Sequence, residues 1–196
     1  SEEWQTLYRA MRQWAKADGH NGYIKRQREQ FRNYVLIMAN SGLRVGEARY
    51  LRWEDVRYEE ADDTTYVYID VNDGKTGRRT VVAMPQCKTY FERLRQRSEW
   101  IGDKDYIFVN KYGKPLDSQK NTFDALLQKC GLQYDKSGVK RSVTSLRHTY
   151  ATFRLHKGDV DIYRLAENMG TGVEQIRNHY GHVNPVMFRK QLTHKR

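Results

Sequence analysis

Val143 to Tyr180 reads VTSLRHTYATFRLHKGDVDIYRLAENMGTGVEQIRNHY. Leu146, Tyr150 and Phe153 recur at helical spacing and Gly158 stops the run, so the pattern predicts a helix with Ser145 as its N-cap. Arg147 and His148 then fall in its first turn. A helix N-terminus presents unpaired N–H groups and a partial positive charge. An arginine there adds a planar fork of donors suited to phosphate. A second helix follows, capped by Asp161, with Ile162, Leu165 and Met169 on its apolar face and Gly170 at its end. Thr171 opens a third, and Glu174 three residues on completes a capping-box pattern. Val173, Ile176 and Tyr180 share one face of this short helix. Tyr180 stands at its end, before the turn signals Gly181 and Asn184-Pro185. Two readings of Tyr180 stand side by side. It closes an apolar stripe, the simpler reading of this stretch alone. Or, close in space to a phosphate-binding arginine, it is a nucleophile.

Working outward, Trp4, Leu7, Tyr8, Met11 and Trp14 mark an amphipathic first helix. Ala17 to Tyr23 is a polar loop with the turn pairs Asp18-Gly19 and Asn21-Gly22. A long helix then carries Phe31, Val35 and Met38 and stops at Ser41-Gly42. Leu43, Ala48 and Leu51 face a core, and Arg44 sits at a junction between two helices. Glu47, three residues on, is placed to hold its guanidinium, and Gly42 and Gly46 leave room for a ligand beside it. The plainer alternative is a surface ion pair of little worth. Tyr66 to Val71 reads as a strand, Asn72 to Gly77 as a turn, and Arg79 to Met84 as the partner strand. Lys75 therefore lies near a hairpin tip, either solvated or reaching into a neighbouring groove as a proton donor. Pro85 opens a helix containing Tyr90, Phe91 and Leu94, and Tyr106 to Val109 is a short strand. Asp117 or Ser118 starts a helix with Phe123, Leu126 and Leu127, ended by Gly131. The sum is an α+β fold, mostly α-helical with a small antiparallel β-sheet, and no Pro- or Ser-rich linker divides it.

The chain has 196 residues, enough for one domain with a good core. Lysine and arginine number 35 against 24 aspartate and glutamate, a net charge of +11. Twelve basic and four acidic residues fall between Lys136 and Arg196, so +8 of that excess sits in the last 61 positions with five of the six histidines. A basic surface of this size favours a polyanion, most simply nucleic acid. Cys87 and Cys130 each fall in an apolar helical pattern with no second cysteine nearby, and read as buried free thiols in a reducing compartment. No Cys/His cluster has zinc-ligand spacing. No apolar run is long enough to span a membrane or act as a signal peptide.

SGLRVGE, GKTGRRTVV, TSLRHTYAT and the tail from MGT to YGHV occur in this order along the chain. Each is weak alone. Together they resemble the tyrosine recombinases of the phage-integrase family, over essentially all 196 residues as its catalytic domain. The family's N-terminal DNA-binding domain has no counterpart here, which implies a fragment or a truncated member. The resemblance matches Arg44 to the first catalytic arginine, Lys75 to the hairpin lysine, Arg147 to the second arginine and Tyr180 to the nucleophile. Three residues before the second arginine the family often has His, and this chain has Thr144. Nine before the nucleophile it often has His or Trp, and this chain has Thr171. His148 is implied as a structural hydrogen-bonder, and His182 as a further candidate for proton transfer.

The resemblance implies site-specific recombination or integration of DNA, in a phage or another mobile element. A phosphodiester lies between Arg44 and Arg147, and Tyr180 attacks phosphorus to give a 3′-phosphotyrosyl link. Lys75 protonates the leaving 5′-oxygen. No metal or other cofactor is implied. The implied partner is double-stranded DNA, with a homotetramer on DNA in the full-length protein, no membrane, and a cytoplasmic, bacterial or phage-encoded setting. Two alternatives stay open: a type IB topoisomerase-like enzyme, and a DNA-binding regulator that keeps the fold without the chemistry.

Overall fold

Helix α2, Gly22–Ser41, is the axle of the molecule. Every residue from Phe31 to Ala39 on it is buried, so no single apolar stripe describes its second half. It packs against α1 (Glu2–Lys16), α4 (Cys87–Arg95) and α6 (Thr144–Lys157). The chain is seen here in a computed structural model, which describes residues 1–17, 21–72, 77–157 and 160–180, with the backbone alone for Lys157, His179 and Tyr180. The remaining elements are α3 (Val45–Arg49), α5 (Lys120–Lys129), α7 (Ile162–Met169) and α8 (Val173–Tyr180). Three strands, β1 (Val56–Ala61), β2 (Thr64–Val71) and β3 (Arg79–Ala83), form one antiparallel sheet in that order. The fold is α+β and mainly helical, as the periodicity predicts.

The N-terminal end of α2 shows why the polar loop is shorter than expected. Asn21 belongs to the helix as its N-cap, its side chain accepting from the Ile24 amide at 2.9 Å. Only Ala17 to Asn21 joins the helices, and residues 18 to 20 lie outside the described part. Asn21→Ala should cost about 1 kcal/mol of stability, read by denaturant melts.

Three further expectations are corrected. The sheet has an outer strand, β1, that the pattern did not reveal. Its residues are mostly exposed and carry no alternation. Its turn to β2 is Asp62-Asp63, both at positive φ (50° and 55°), a two-residue hairpin made with aspartate instead of glycine. Tyr106 to Val109 is not a strand. Ile107 and Phe108 are both buried, and the Ile107 amide donates to the Leu51 carbonyl and the Val109 amide to Gln30 Oε1. Only isolated bridges, Arg52 with Tyr106 and Val109 with Pro115, form there. Helix α5 starts at Lys120 because both expected caps are engaged elsewhere. Asp117 pairs with Arg49 at 2.7 Å, and the Ser118 hydroxyl turns the chain by accepting from the Lys120 amide. Likewise Pro85 lies in the turn before α4. Cys87 is fully buried, and burial pushes its thiol pKa up; Cys130 is only partly buried.

The apolar interior divides in two. The larger cluster is gathered around α2 and takes in Val67, Ile69, Val81, Phe91, Phe108, Phe123 and Leu146. A smaller one joins Tyr150, Ala151, Leu155, Leu165, Ala166, Met169 and Ile176 from α6, α7 and α8. Helix α6 contributes to both, Leu146 to the larger and Tyr150, one turn further along, to the smaller. Of the candidate residues, Arg44 follows Leu43 of the larger cluster, and Arg147 bonds to the carbonyl of Met169 of the smaller.

Candidate active site

Gly42 ends α2 in the left-handed conformation, φ 70°. A Cβ there would come within 2.5 Å of the Tyr150 ring and 3.2 Å of Met169. The small residue therefore allows helix ends to approach, and does not leave ligand space as expected. Gly46 is different: nothing lies within 4 Å of its would-be Cβ. Between them Arg44 is extended (φ −78°, ψ 153°) in the N-cap position of α3, with Leu43 and Ala48 fixing the segment in the core.

Glu47 holds Arg44 as its spacing suggests, and does more. It accepts from the Arg44 amide and from Arg44 Nη1, each at 2.8 Å. It also takes a bidentate pair from Arg79, Nη1 to Oε1 and Nη2 to Oε2, both at 2.8 Å. Its side chain is only 5% exposed, and that of Arg79 11%. Burial alone would raise the Glu47 pKa. Hydrogen bonds from Arg79 and from the Arg44 backbone outweigh burial, and the pKa lies below its ordinary value.

Helix α6 delivers Arg147 from the other side. Its Nη1 donates to the Gly42 carbonyl and its Nη2 to the Met169 carbonyl at 2.8 Å. Arg44 Nη2 donates to the Gly170 carbonyl, and Arg79 Nε to the Asn168 carbonyl at 3.4 Å. Three consecutive carbonyls at the C-terminus of α7 thus each accept from a different arginine. The physical reason is plain. The last carbonyls of a helix have no partner within it and carry its negative dipole end, so cations are stabilised there. Asn168 adds a clip to the sheet: its side chain accepts from the Val82 amide at 2.7 Å and donates to the Val82 carbonyl and to the Tyr150 hydroxyl.

Helix α7 begins as expected, with Asp161 accepting from the Tyr163 and Arg164 amides, and ends at Gly170 in the left-handed conformation. The next helix does not begin with Thr171. The Thr171 amide donates back to Ala166 at 2.9 Å, which closes α7. The first carbonyl to accept within α8 is that of Gly172, from Ile176 at 3.3 Å. Thr171 is therefore the exit of one helix and Gly172 the entry to the next, and the capping box is not formed. Thr171→Val should then shift the melting temperature by no more than about 2 °C, measured by thermal scan. The N-cap expected at Ser145 is corrected too. Helix α6 starts at Thr144, and the Ser145 hydroxyl accepts from the Ser142 amide, ahead of the helix.

Of the other candidates, Thr144 is exposed at the first position of α6, and His148 is partly buried one residue after Arg147. Tyr180 is the last residue of α8, and the buried Ile176 ties that helix to the smaller core. The Tyr180 side chain, Lys75 and His182 lie outside the described residues. Sequence reasoning missed Arg79. The signal was present in strand alternation: Arg79, Val81 and Ala83 fall on one face of β3, and Val81 and Ala83 are core residues.

With this arrangement in view, relatives can be compared. The phage integrase family model matches residues 2–186, and the chain belongs to that family. Tyrosine recombinase XerA of Pyrococcus furiosus is 30% identical over 153 residues, covering 75% of this chain and 48% of the relative. Tyrosine recombinase XerD of Staphylococcus saprophyticus is 26% identical over 166 residues, 81% of this chain and 52% of the relative. The chain thus spans about half the length of the curated relatives it matches. A crystal structure of XerA recombinase superposes with a TM-score of 0.68 at 26% identity, over 100% of this chain and 63% of that one. XerH recombinase bound to its difH substrate gives 0.70 at 18% identity, over 98% and 52%. The fold is that of the tyrosine recombinase catalytic domain.

Proposed function

We propose that the chain is the catalytic domain of a site-specific DNA recombinase or integrase that cleaves and rejoins double-stranded DNA through a tyrosine. The observation that carries this reading is the convergence of Arg44 and Arg147, 103 positions apart, on the adjoining carbonyls of Met169 and Gly170. That turn leads through Thr171 into α8, whose last residue is Tyr180. Two guanidinium groups fixed at one point suit the two non-bridging oxygens of a phosphodiester. Their hydrogen bonds strengthen as negative charge builds in a pentacoordinate transition state. The Tyr180 oxygen forms a bond to phosphorus, the bond to the 5′-oxygen breaks, and a 3′-phosphotyrosyl link results. The tyrosine loses one proton and the 5′-oxygen gains one. A 5′-hydroxyl from another strand then reverses the step and rejoins the DNA.

Support comes from the relatives as well. XerH was crystallised on difH DNA, and a lambda integrase dimer on a core site. In the whole protein, double-stranded DNA is the partner and a homotetramer on DNA the working assembly. The test is a nicked suicide substrate, from which the short 5′ fragment diffuses away and leaves the adduct trapped. An adduct supports the enzyme reading, and none would leave a DNA-binding regulator. Exchange between two sites separates recombinase from topoisomerase.

Lys75 is the proposed acid. An alkoxide needs a proton to leave, whereas a thiolate, whose conjugate acid has a pKa of about 8.5, does not. Lys75→Ala should cleave ordinary DNA roughly 10²-fold more slowly or worse and recover on a substrate with sulfur at the bridging 5′ position. Equal impairment on both would place the acid elsewhere. The Thr171 hydroxyl is the proposed donor to a non-bridging oxygen, supported by its place one residue after the Gly170 carbonyl that accepts from Arg44. Thr171→Val should slow cleavage roughly tenfold, the worth of one hydrogen bond, while Thr171→Ser cleaves normally.

A further inference from the structure

Arg79 has no part in the proposed chemistry as described so far, yet it is firmly held within the cluster. It engages both carboxylate oxygens of Glu47 and the Asn168 carbonyl. Its guanidinium also fills the space above Gly170, where a Cβ would lie 2.7 Å from Nε and 2.8 Å from Cζ. Glu47 in turn holds both the backbone and the guanidinium of Arg44. Arg79 stands at the start of β3, four positions after Lys75 in the sequence. One side chain therefore touches both the support of Arg44 and the turn before Thr171.

We propose that Arg79 is a positioning residue for DNA cleavage, fixing Arg44 through Glu47 and holding the α7 C-terminal turn that leads to the nucleophile's helix. The inference rests on the recombinase reading. Its physical content is geometric. Glu47 between two guanidinium groups cannot turn toward either, because each of its oxygens is shared: Oε1 takes Arg44 Nη1 and Arg79 Nη1, and Oε2 takes the Arg44 amide and Arg79 Nη2. Without Arg79 the carboxylate is free to rotate with Arg44, and the fork that must meet the phosphate is no longer set. Misplacement of a binding group by about 1 Å costs on the order of 10²-fold in rate. A lysine supplies the charge as a single point and cannot make the planar pair.

The experiment compares wild type, Arg79→Met, Arg79→Lys, Glu47→Gln and the double variant Glu47→Gln/Arg79→Met. Single-turnover adduct formation on the nicked DNA substrate and DNA affinity are measured below each variant's melting temperature. Arg79→Met should slow cleavage by about 10- to 100-fold with DNA affinity within about threefold, and Arg79→Lys should fall between it and wild type. The double variant should cleave no more slowly than the slower single one, as expected when one residue acts through the other. Where Arg79→Met does not fold, Arg79→Lys decides: slower cleavage at unchanged affinity supports the role. A wild-type rate in the decisive variant overturns it. Additive losses overturn the route through Glu47, and affinity falling in step with rate would make Arg79 a direct phosphate ligand. Absence of adduct with wild type on the same substrate overturns the recombinase reading and this inference with it.

Discussion

Tyr180→Phe is expected to lower covalent adduct formation by roughly 10⁴-fold or more, the scale seen when a nucleophile is removed. DNA affinity should stay within about twofold and the melting temperature within about 2 °C, since a single oxygen is lost at the end of α8. Neither Tyr150 nor Tyr163 is suited to take over. The Tyr150 ring lies against Gly42 in the smaller core, its hydroxyl accepts from Asn168, and burial raises its pKa. A phenol held in that way is a poor nucleophile and cannot reach a DNA backbone. Tyr163 is 65% exposed at the start of α7, the opposite end from the arginine cluster. Adduct formed at the normal rate by the Phe variant would place the nucleophile elsewhere and contradict the assignment.

Glu47→Ala should cause the largest loss of stability among the site variants, about 3–5 kcal/mol. The substitution leaves the guanidinium groups of Arg44 and Arg79 beside each other with no carboxylate between them, and Arg79 is nearly enclosed. For a domain of this size the melting temperature should fall by roughly 6–20 °C. The effect depends on pH in a defined direction. Because the Glu47 pKa is lower folded than unfolded, its contribution is fully present at neutral pH. It is lost as pH falls below the ordinary carboxylate range and through the depressed value. The gap between wild type and variant, read in melts from pH 7 downward, should therefore narrow in acid. A constant gap would mean that Glu47 contributes packing and not charge.

What the sequence disclosed follows from how local each signal was. Helix α2 carries a long apolar run closed by a glycine, so its end at Ser41-Gly42 could be read directly, whereas its cap, Asn21, reads from the sequence as a loop turn. The same holds for Asp161 and Gly170 around α7. Strand β1 lacked every local cue, since its residues are mostly exposed and its turn uses Asp62-Asp63. Tyr106 to Val109 has strand composition but packs on both faces against non-strand neighbours, which composition cannot distinguish. Thr171 carried a sound capping pattern that lost to a competing local one: its amide closes the preceding helix on Ala166. In the site, Arg44 with Glu47 was legible because the pair is three residues apart. Arg79 with Glu47 spans 32 positions, and the arginine–carbonyl bonds to the end of α7 span 22, 89 and 126. Such contacts exist only once the chain is folded.

The most direct measurement is to trap the adduct on the nicked suicide DNA, digest it with trypsin and nuclease, and map the modified residue by mass spectrometry. Cleavage after Arg177 and Arg189 yields the peptide Asn178–Arg189, in which Tyr180 is the only tyrosine. The expected result is a single phosphotyrosyl modification on that peptide, at Tyr180, attached to the 3′ end of the cleaved strand. Modification of any other residue, attachment through a 5′ phosphate, or cleavage with no protein–DNA link would contradict it.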